Sequence, residues 1–316
     1  MELATIETVT KIVPIDGANN IELAEVLGWN VVIKKGEFSE GDLCIYIRID
    51  TTVNPTLKCF SHLANSKTPN KRIRINTRKF INVYSQGLLI PIHNYKLEPA
   101  IGLDVTDIFD VKKYEKEEND SFSNKPKGDF PIEIISKTNE EHLKNKITAL
   151  EKLVNNKIYI SKKMDGSSLT IIFKDNSLIV CSRNYIVNED STMYKYVINE
   201  KINGYNLAIQ GEFCGPNINR NQMKLDKYKF YVFTIKDLSE NRYLNLEEMK
   251  VMSKKLDLET VPILDIIDCD ESWTIQKFQD YANNITYGDS CGEGIVIRDC
   301  NNIETSFKVI NQNYKD

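Results

Sequence analysis

The chain has 316 residues, more than one small core usually holds, so two domains are expected. A net charge of −4 with ordinary apolar and charged content excludes a global electrostatic case for nucleic acid, so any such site must be a local patch. No apolar run approaches a membrane span, the N-terminus has no signal-peptide core, and seven scattered cysteines without a Cys-x-x-Cys pair read as reduced thiols. These features read as an intracellular protein (cytoplasmic, nuclear or viral, not secreted), and a monomer is expected.

In chain order, the first part is β-rich. Asn30–Lys34, Leu43–Ile49, Arg72–Asn76 and Gly87–Ile92 are short apolar or alternating runs, punctuated by Gly36, Gly41, Asn54-Pro55 and Pro69-Asn70. Such spacing suggests a small barrel or sandwich. Between Lys67 and Lys79 lie Lys71, Arg72, Arg74 and Arg78 with no acid among them. In a strand, the arginines of Arg72–Asn76 alternate with isoleucines and give one basic and one apolar face. That face reads either as an ordinary solvated strand or as a row of phosphate contacts from Arg72, Arg74, Arg78 and Lys79, with Phe80 and Tyr84 as stacking or core rings.

Residues 112–129 are dense in charge, Ser, Asn and Pro and read as a linker. The expected division is therefore 1–111, a linker 112–129, and a second domain 130–316. In that domain Thr138-x-x-Glu141 predicts a capped helix with Leu143, Ile147, Leu150 and Val154 on one face. Strands are predicted at 157–162, 168–173, 177–182, Leu207–Phe213, Lys229–Ile235, Gly294–Ile297 and Ser306–Ile310. Helices are predicted from Asn245-x-x-Glu248 to about Leu256 and over Trp273–Ala282. His62, His93 and His142 lie in no triad or metal pattern and read as surface or loop residues.

Lys163-Met-Asp165-Gly166 falls between two predicted strands. Alone it is weak: roughly one random chain in twenty of this length holds Lys-x-Asp-Gly, and a hairpin turn with a solvated lysine explains it. Its companions follow in order: Ser182-Arg183-Asn184, Gly211-Glu212-Phe213, Phe230-Tyr231-Val232-Phe233, Glu293-Gly294-Ile295-Val296-Ile297-Arg298 and Phe307-Lys308-Val309-Ile310. Each polar group sits at a strand end or beside an apolar run. Each has a bland explanation alone, but the ordered set does not.

The stretches KMDGS, GEFCGPNINRN, DKYKFYVFTI, GEGIVIRD and SFKVIN resemble the covalent nucleotidyltransferase superfamily of ATP-dependent ligases and capping enzymes. With KTNEEH at 137–142, the chain is similar to the nick-sealing RNA ligases of the Deinococcus/Naegleria type. The resemblance implies an α+β protein: an N-terminal OB-like barrel, then a nucleotidyltransferase domain of antiparallel sheets flanked by helices (an ATP-grasp-like ligase fold). It implies an ATP-dependent RNA ligase using magnesium or manganese, forming lysyl-AMP, passing AMP to a 5′-phosphate, and sealing nicked RNA or RNA-containing duplex with RNA on the 3′-OH side. It makes Lys163 the nucleophile, with Lys162 in a backbone role at the adenine edge. Arg183 resembles the ribose and RNA-end contact, Glu212 the ribose or metal-water ligand, and Phe233 the adenine-stacking ring, while Phe230 reads as core. Glu293 resembles the metal-hydration carboxylate, and Arg298 and Lys308 would hold the α-phosphate and leaving group. Asp165 would anchor either the loop or the metal's waters.

Two departures stand out. Many superfamily members end in Lys-x-Lys, whereas Ile310 takes the second lysine position here, and another register starts the motif at Ser306. Similar DNA ligases and capping enzymes continue into a C-terminal OB domain, while six residues follow Ile310. That disfavours the alternatives, a GTP-dependent capping-type transferase or a DNA ligase. A non-catalytic RNA-binding protein is a further alternative, disfavoured by the intact Lys163, Glu212, Glu293 and Lys308.

Overall fold

A computed structural model describes residues 2–65, 68–114, 126–138, 140–145, 147–198 and 204–314. It divides into two units, Met1–Glu117 and Glu118–Asp316. Lys67, Asn139 and the middle of the predicted linker, 115–125, lie outside the described residues. Both ends of that linker are paired: Lys112–Lys113 with Thr51–Thr52, and Gly128–Asp129 with Tyr185–Ile186.

In the first unit, Leu43–Ile47 is the middle strand of an antiparallel sheet, between Ala4–Thr8 and Leu88–Pro91. Alternation sends Ile45 and Ile47 into one core with Ile6, Phe60 and Phe109, and Cys44 and Tyr46 into another with Trp29 and Val31. A strand apolar on both faces must be covered on both. The meander Lys11–Pro14, Ile21–Val26, Trp29–Lys34 contributes residues to the second core. Thr51–Val53 and Ile73–Ile75 pair beside these sheets, and Arg78–Phe80 forms a short hairpin with Val83–Ser85.

Among its described residues the second unit holds two large sheets and the short pair Thr286–Tyr287 with Ser290–Cys291. The larger has eight strands, centred on Ser167–Lys174, Leu207–Cys214 and Lys229–Asp237. The other runs Glu141–His142, Ser306–Ile310, Gly294–Asp299, Lys157–Lys162, Ile263–Asp268. On the Lys157–Lys162 strand, Ile158 and Ile160 pack with Phe278 and Ala282 of the helix Ile275–Asn283. Tyr159 points the other way, into a core shared with Leu169, Ile171 and Val232 of the larger sheet. The predicted helix after Asn245 forms over Leu246–Lys255, its capping box complete in both directions.

Three sequence expectations fail here. The helix after Thr138 does not form. Glu141–His142 instead pairs in parallel with Phe307–Lys308, and single 3₁₀ turns follow at Leu143–Asn145 and Ile147–Ala149. His142 is no surface residue: it is 3% exposed, and backbone N–H groups of Lys144 and Ile310 lie 3.3 and 3.4 Å from its ring nitrogens. The segment Lys163–Gly166 is not a hairpin turn, because the strands it joins lie in different sheets.

Candidate active site

One ladder assembles the centre of the site. Lys157–Lys162 pairs antiparallel with Gly294–Asp299, placing Tyr159 opposite Arg298 and Lys162 opposite Ile295. The Lys163 N–H donates to the Gly294 carbonyl at 2.9 Å, so Glu293 flanks Lys163. Their side chains meet, Nζ to Oε1, at 2.8 Å. Gly294 is required at this step: its φ is +142°, and a Cβ would collide with the Val309 carbonyl oxygen. The next strand sets Lys308 opposite Val296, and on its other side opposite His142.

Beyond Lys163 the chain crosses to the larger sheet, held from several sides. The Tyr287 hydroxyl donates to the Lys163 carbonyl. Asn219 Nδ2 donates to Asp165 Oδ1 at 2.7 Å and to the Gly166 carbonyl at 2.8 Å. The Gly166 N–H donates to Glu212 Oε1 at 3.2 Å. Gly166 has no room for a side chain: a Cβ would lie 2.5 Å from the Phe213 carbonyl oxygen and 2.8 Å from Glu212 Cγ. Lys162 turns away, donating to the Thr286 carbonyl at 2.7 Å with its ammonium 5.8 Å from the Tyr287 ring centroid. Lys163, not Lys162, therefore joins the carboxylates.

Two carboxylates, Glu293 and Glu212, act on the Lys163 ammonium. Burial alone would lower its pKa, but Glu293 and then Glu212 hold the ammonium well above the ordinary lysine range. Glu212 is pushed up to about 8 by burial and by the charges of Glu293, Glu140 and Asp165, against the pull of Lys163. Among the described residues no group of three or more His, Cys, Asp or Glu side chains is arranged to grip a bare ion. Clustered carboxylates that raise one another's pKa suit a hydrated divalent cation bound through its waters.

Phe233 and Phe230 part company. Phe230 packs in the main core with Phe213, whereas Phe233 lies with Met164, Tyr231 and Val261. Gln210 pairs with Thr234 and Gly211 with Val232, so Phe233 is the extra residue of a bulge. Arg298, expected to hold phosphate, is enclosed in the protein. It is 3% exposed, its guanidinium donates to Glu140 Oε1 at 2.6 Å, and its Cζ lies 5.1 Å from the Phe233 ring centroid. Arg183 is exposed between the strands Ser177–Cys181 and Tyr185–Ile186.

In the first unit, part of the expected basic face is engaged within the chain. Arg72 spends its donors internally, on Asp110 Oδ2 at 2.7 Å, on Thr52 Oγ1 and on the carbonyls of Thr52 and Asp110. Arg74 pairs with Asp50 at 3.2 Å and lies 4.0 Å from the Tyr114 centroid. The acids come from distant sequence, which the acid-free stretch 67–79 concealed. Arg78, Lys79 and Phe80 are exposed on their hairpin.

Several site residues carried no sequence signal of their own. Asn219 lies within GPNINRN and Glu140 within KTNEEH, so both segments were flagged without a task for either residue. Tyr287 lies in no motif. What connects it to Lys163 is a contact across 124 positions.

Comparison with known proteins supplies the context. The family model described as RNA ligase matches residues 156–310, and an OB-fold domain model matches residues 3–92. An unliganded mutant of a Naegleria gruberi RNA ligase is 31% identical, with 98% of this chain and 97% of that one covered at a TM-score of 0.87. A mutant of Naegleria gruberi RNA ligase with ATP and manganese gives the same identity, coverage and TM-score. A mutant with AMP and manganese gives 31% identity over 98% and 97% of the two chains at 0.84. Comparison with curated protein sequences gives no match.

Proposed function

Because the chain belongs to the RNA ligase family, we propose that it is an ATP-dependent ligase that joins RNA ends through an AMP-bearing Lys163. The observation that carries this reading is the meeting of Lys163 with Glu293 and of Gly166 with Glu212 on one short crossover between two sheets. Naegleria gruberi RNA ligase mutants that share this fold hold ATP or AMP with manganese.

In the first step the Lys163 amine attacks the α-phosphorus of ATP. An N–P bond forms, the bond to the bridging oxygen breaks, and pyrophosphate leaves. A 5′-phosphate oxygen of RNA then attacks the same phosphorus and frees the lysine. Last, a 3′-OH attacks the activated 5′-phosphate and AMP departs. Phosphoryl transfer of this kind depends on alignment and charge neutralisation.

At rest Lys163 is an ammonium and no nucleophile. The carboxylates hold the proton there, while burial opposes it. Where cationic charge offsets Glu293 and Glu212, burial is left acting on the amine and favours its neutral form. Glu212, Glu293 and Asp165 would hold hydrated magnesium or manganese, which when bound supplies charge neutralisation at the triphosphate. Lys308, opposite Val296 on the neighbouring strand, would meet phosphate oxygens. Phe233 offers a ring to the base, and Arg78, Lys79 and Arg183 are exposed cations for RNA phosphates. The substrate is nicked duplex with RNA on the 3′-OH side.

The test is covalent labelling by α-labelled ATP with magnesium or manganese, followed by denaturation. Wild-type protein and Lys162→Ala take up label and Lys163→Ala does not; equal labelling of Lys163→Ala defeats the reading. Parallel reactions with GTP and NAD, and nicks in which each strand is RNA or DNA, define nucleotide and substrate.

A further inference from the structure

Arg298 and Glu140 form the most enclosed ion pair of the site, and the steps above give them no task. They are 158 positions apart and belong to different segments of the smaller sheet and its edge. Arg298 sits opposite Tyr159 at the back of the ladder, yet its guanidinium reaches the Phe233 ring on the other sheet. Burial works against the Glu140 charge, but Arg298 foremost, then a backbone hydrogen bond and the charges of Lys163 and Lys308, hold its carboxyl below the usual range.

Two physical facts link this pair to Phe233. A buried guanidinium without a counter-charge is strongly unfavourable, so Glu140 is what permits Arg298 to stay where it is. Phe233 is a bulge residue outside the regular ladder, so strand pairing alone does not fix its ring. A cation against an aromatic face is attracted by the ring quadrupole and gives the ring a defined seat.

We propose that Glu140 is a positioning residue for nucleobase recognition: it pins Arg298 as a plate against Phe233, and so sets the ring on which the base of the incoming nucleotide stacks. This rests on the reading of the pocket as an ATP site. Glu140 touches neither nucleotide nor reacting atom in this role. Its effect belongs to the nucleoside half of ATP and not to the triphosphate, which separates it from a direct electrostatic effect of Glu140 on Lys163 or Lys308.

The experiment measures labelling of Lys163 against ATP concentration, with adenosine and inorganic tripolyphosphate as competitors. Glu140→Gln, of the same shape, is expected to raise the half-saturating ATP concentration about tenfold, the equivalent of one lost interaction. Inhibition by adenosine weakens by the same factor, while inhibition by tripolyphosphate and the rate at saturating ATP stay near wild type. In a double-mutant cycle, Glu140→Gln adds little to Phe233→Leu because both remove one stacking seat. Should Glu140→Gln fold poorly, the paired replacement Glu140→Leu with Arg298→Met leaves no lone charge and must show the same selective loss. Equal weakening by tripolyphosphate, unchanged adenosine inhibition, or multiplicative losses with Phe233→Leu overturn the proposal. If wild-type protein takes no label from ATP, the ATP reading itself fails, a result distinct from these.

Discussion

The Lys163 ammonium and the Glu293 carboxylate meet at 2.8 Å because one antiparallel ladder carries both. The contact makes the resting lysine unreactive, since Glu293 and Glu212 outweigh the burial that would lower its pKa. In protein stripped of divalent ions, Lys163 should acylate with an amine-selective reagent only at a pH above that of an ordinary lysine. Glu293→Gln removes the larger electrostatic contribution and leaves burial in place, so the onset must move to lower pH. Peptide mapping of acylated Lys163 across a pH series measures this, and an unmoved onset contradicts the assignment.

Gly166 offers a sharper probe of alignment. A methyl group there would press on Glu212 Cγ and on the Phe213 carbonyl. The crossover must shift to admit it, carrying the Lys163 end out of line. Displacement of a reacting group by about 1 Å costs on the order of 100-fold in rate. Gly166→Ala should therefore lose label formation on that scale. Its melting temperature should fall by far less than total unfolding would require, as differential scanning calorimetry can show.

Two similar sequence signals had opposite outcomes, and the difference is physical. Asn245-x-x-Glu248 is followed by strong helix formers, and both halves of its capping box form. Thr138-x-x-Glu141 is also followed by helix formers, among them Leu143, Lys144, Ala149 and Leu150, yet no α-helix forms. Its residues find tertiary partners instead: Glu140 on Arg298, Glu141 and His142 along the strand Ser306–Ile310, and Thr138 Oγ1 near Ser168 Oγ at 3.3 Å. Local propensity lost to those contacts. Strands with unbroken apolar runs, such as Lys157–Lys162 and Ser177–Cys181, were legible. Ala4–Thr8 was not, because Thr5 and Glu7, at 1% and 6% exposure, bury polar groups inside its pattern. The candidate site was readable where residues stand in ordered motifs at strand ends, as Lys163, Glu212 and Glu293 do. It was unreadable where meaning arises only from a long-range contact. Nothing in the sequence distinguishes an arginine that reaches for phosphate from Arg298, enclosed beside Glu140.

The Arg72–Asp110 pair predicts acid sensitivity in the first unit. Burial pushes the Asp110 carboxyl up, but hydrogen bonds from Arg72 and Asn54, with the charges of Arg72 and Lys112, hold it below 3.8. A depressed carboxyl contributes stability that is fully present above the unfolded value and is lost as pH falls through the folded one. Asp110→Asn is the suitable variant, since φ at this position is +46° and Asn tolerates that conformation. Its melting temperature should lie below wild type near neutral pH, and the gap should close as pH falls below 3.8. A gap that persists in acid would place the stabilisation elsewhere.

The same pair divides the basic residues of the first unit by task. Arg72 and Arg74 hold Asp110 and Asp50, whereas Arg78 and Lys79 lie exposed on the hairpin with Phe80. Each phosphate contact releases condensed counterions, and the slope of log affinity against log salt falls by about 0.9 per contact on a B-form duplex. Arg78→Ala and Lys79→Ala should each weaken binding to nicked RNA duplex and flatten that slope by an amount of this order, with the melting temperature unchanged. Arg72→Ala should lower the melting temperature and leave the slope of the protein that remains folded as it was. Fluorescence anisotropy at several salt concentrations, paired with thermal melts, separates the two outcomes. If Arg72→Ala flattens the slope and Arg78→Ala does not, the phosphate track runs along the strand Ile73–Ile75 and not the hairpin.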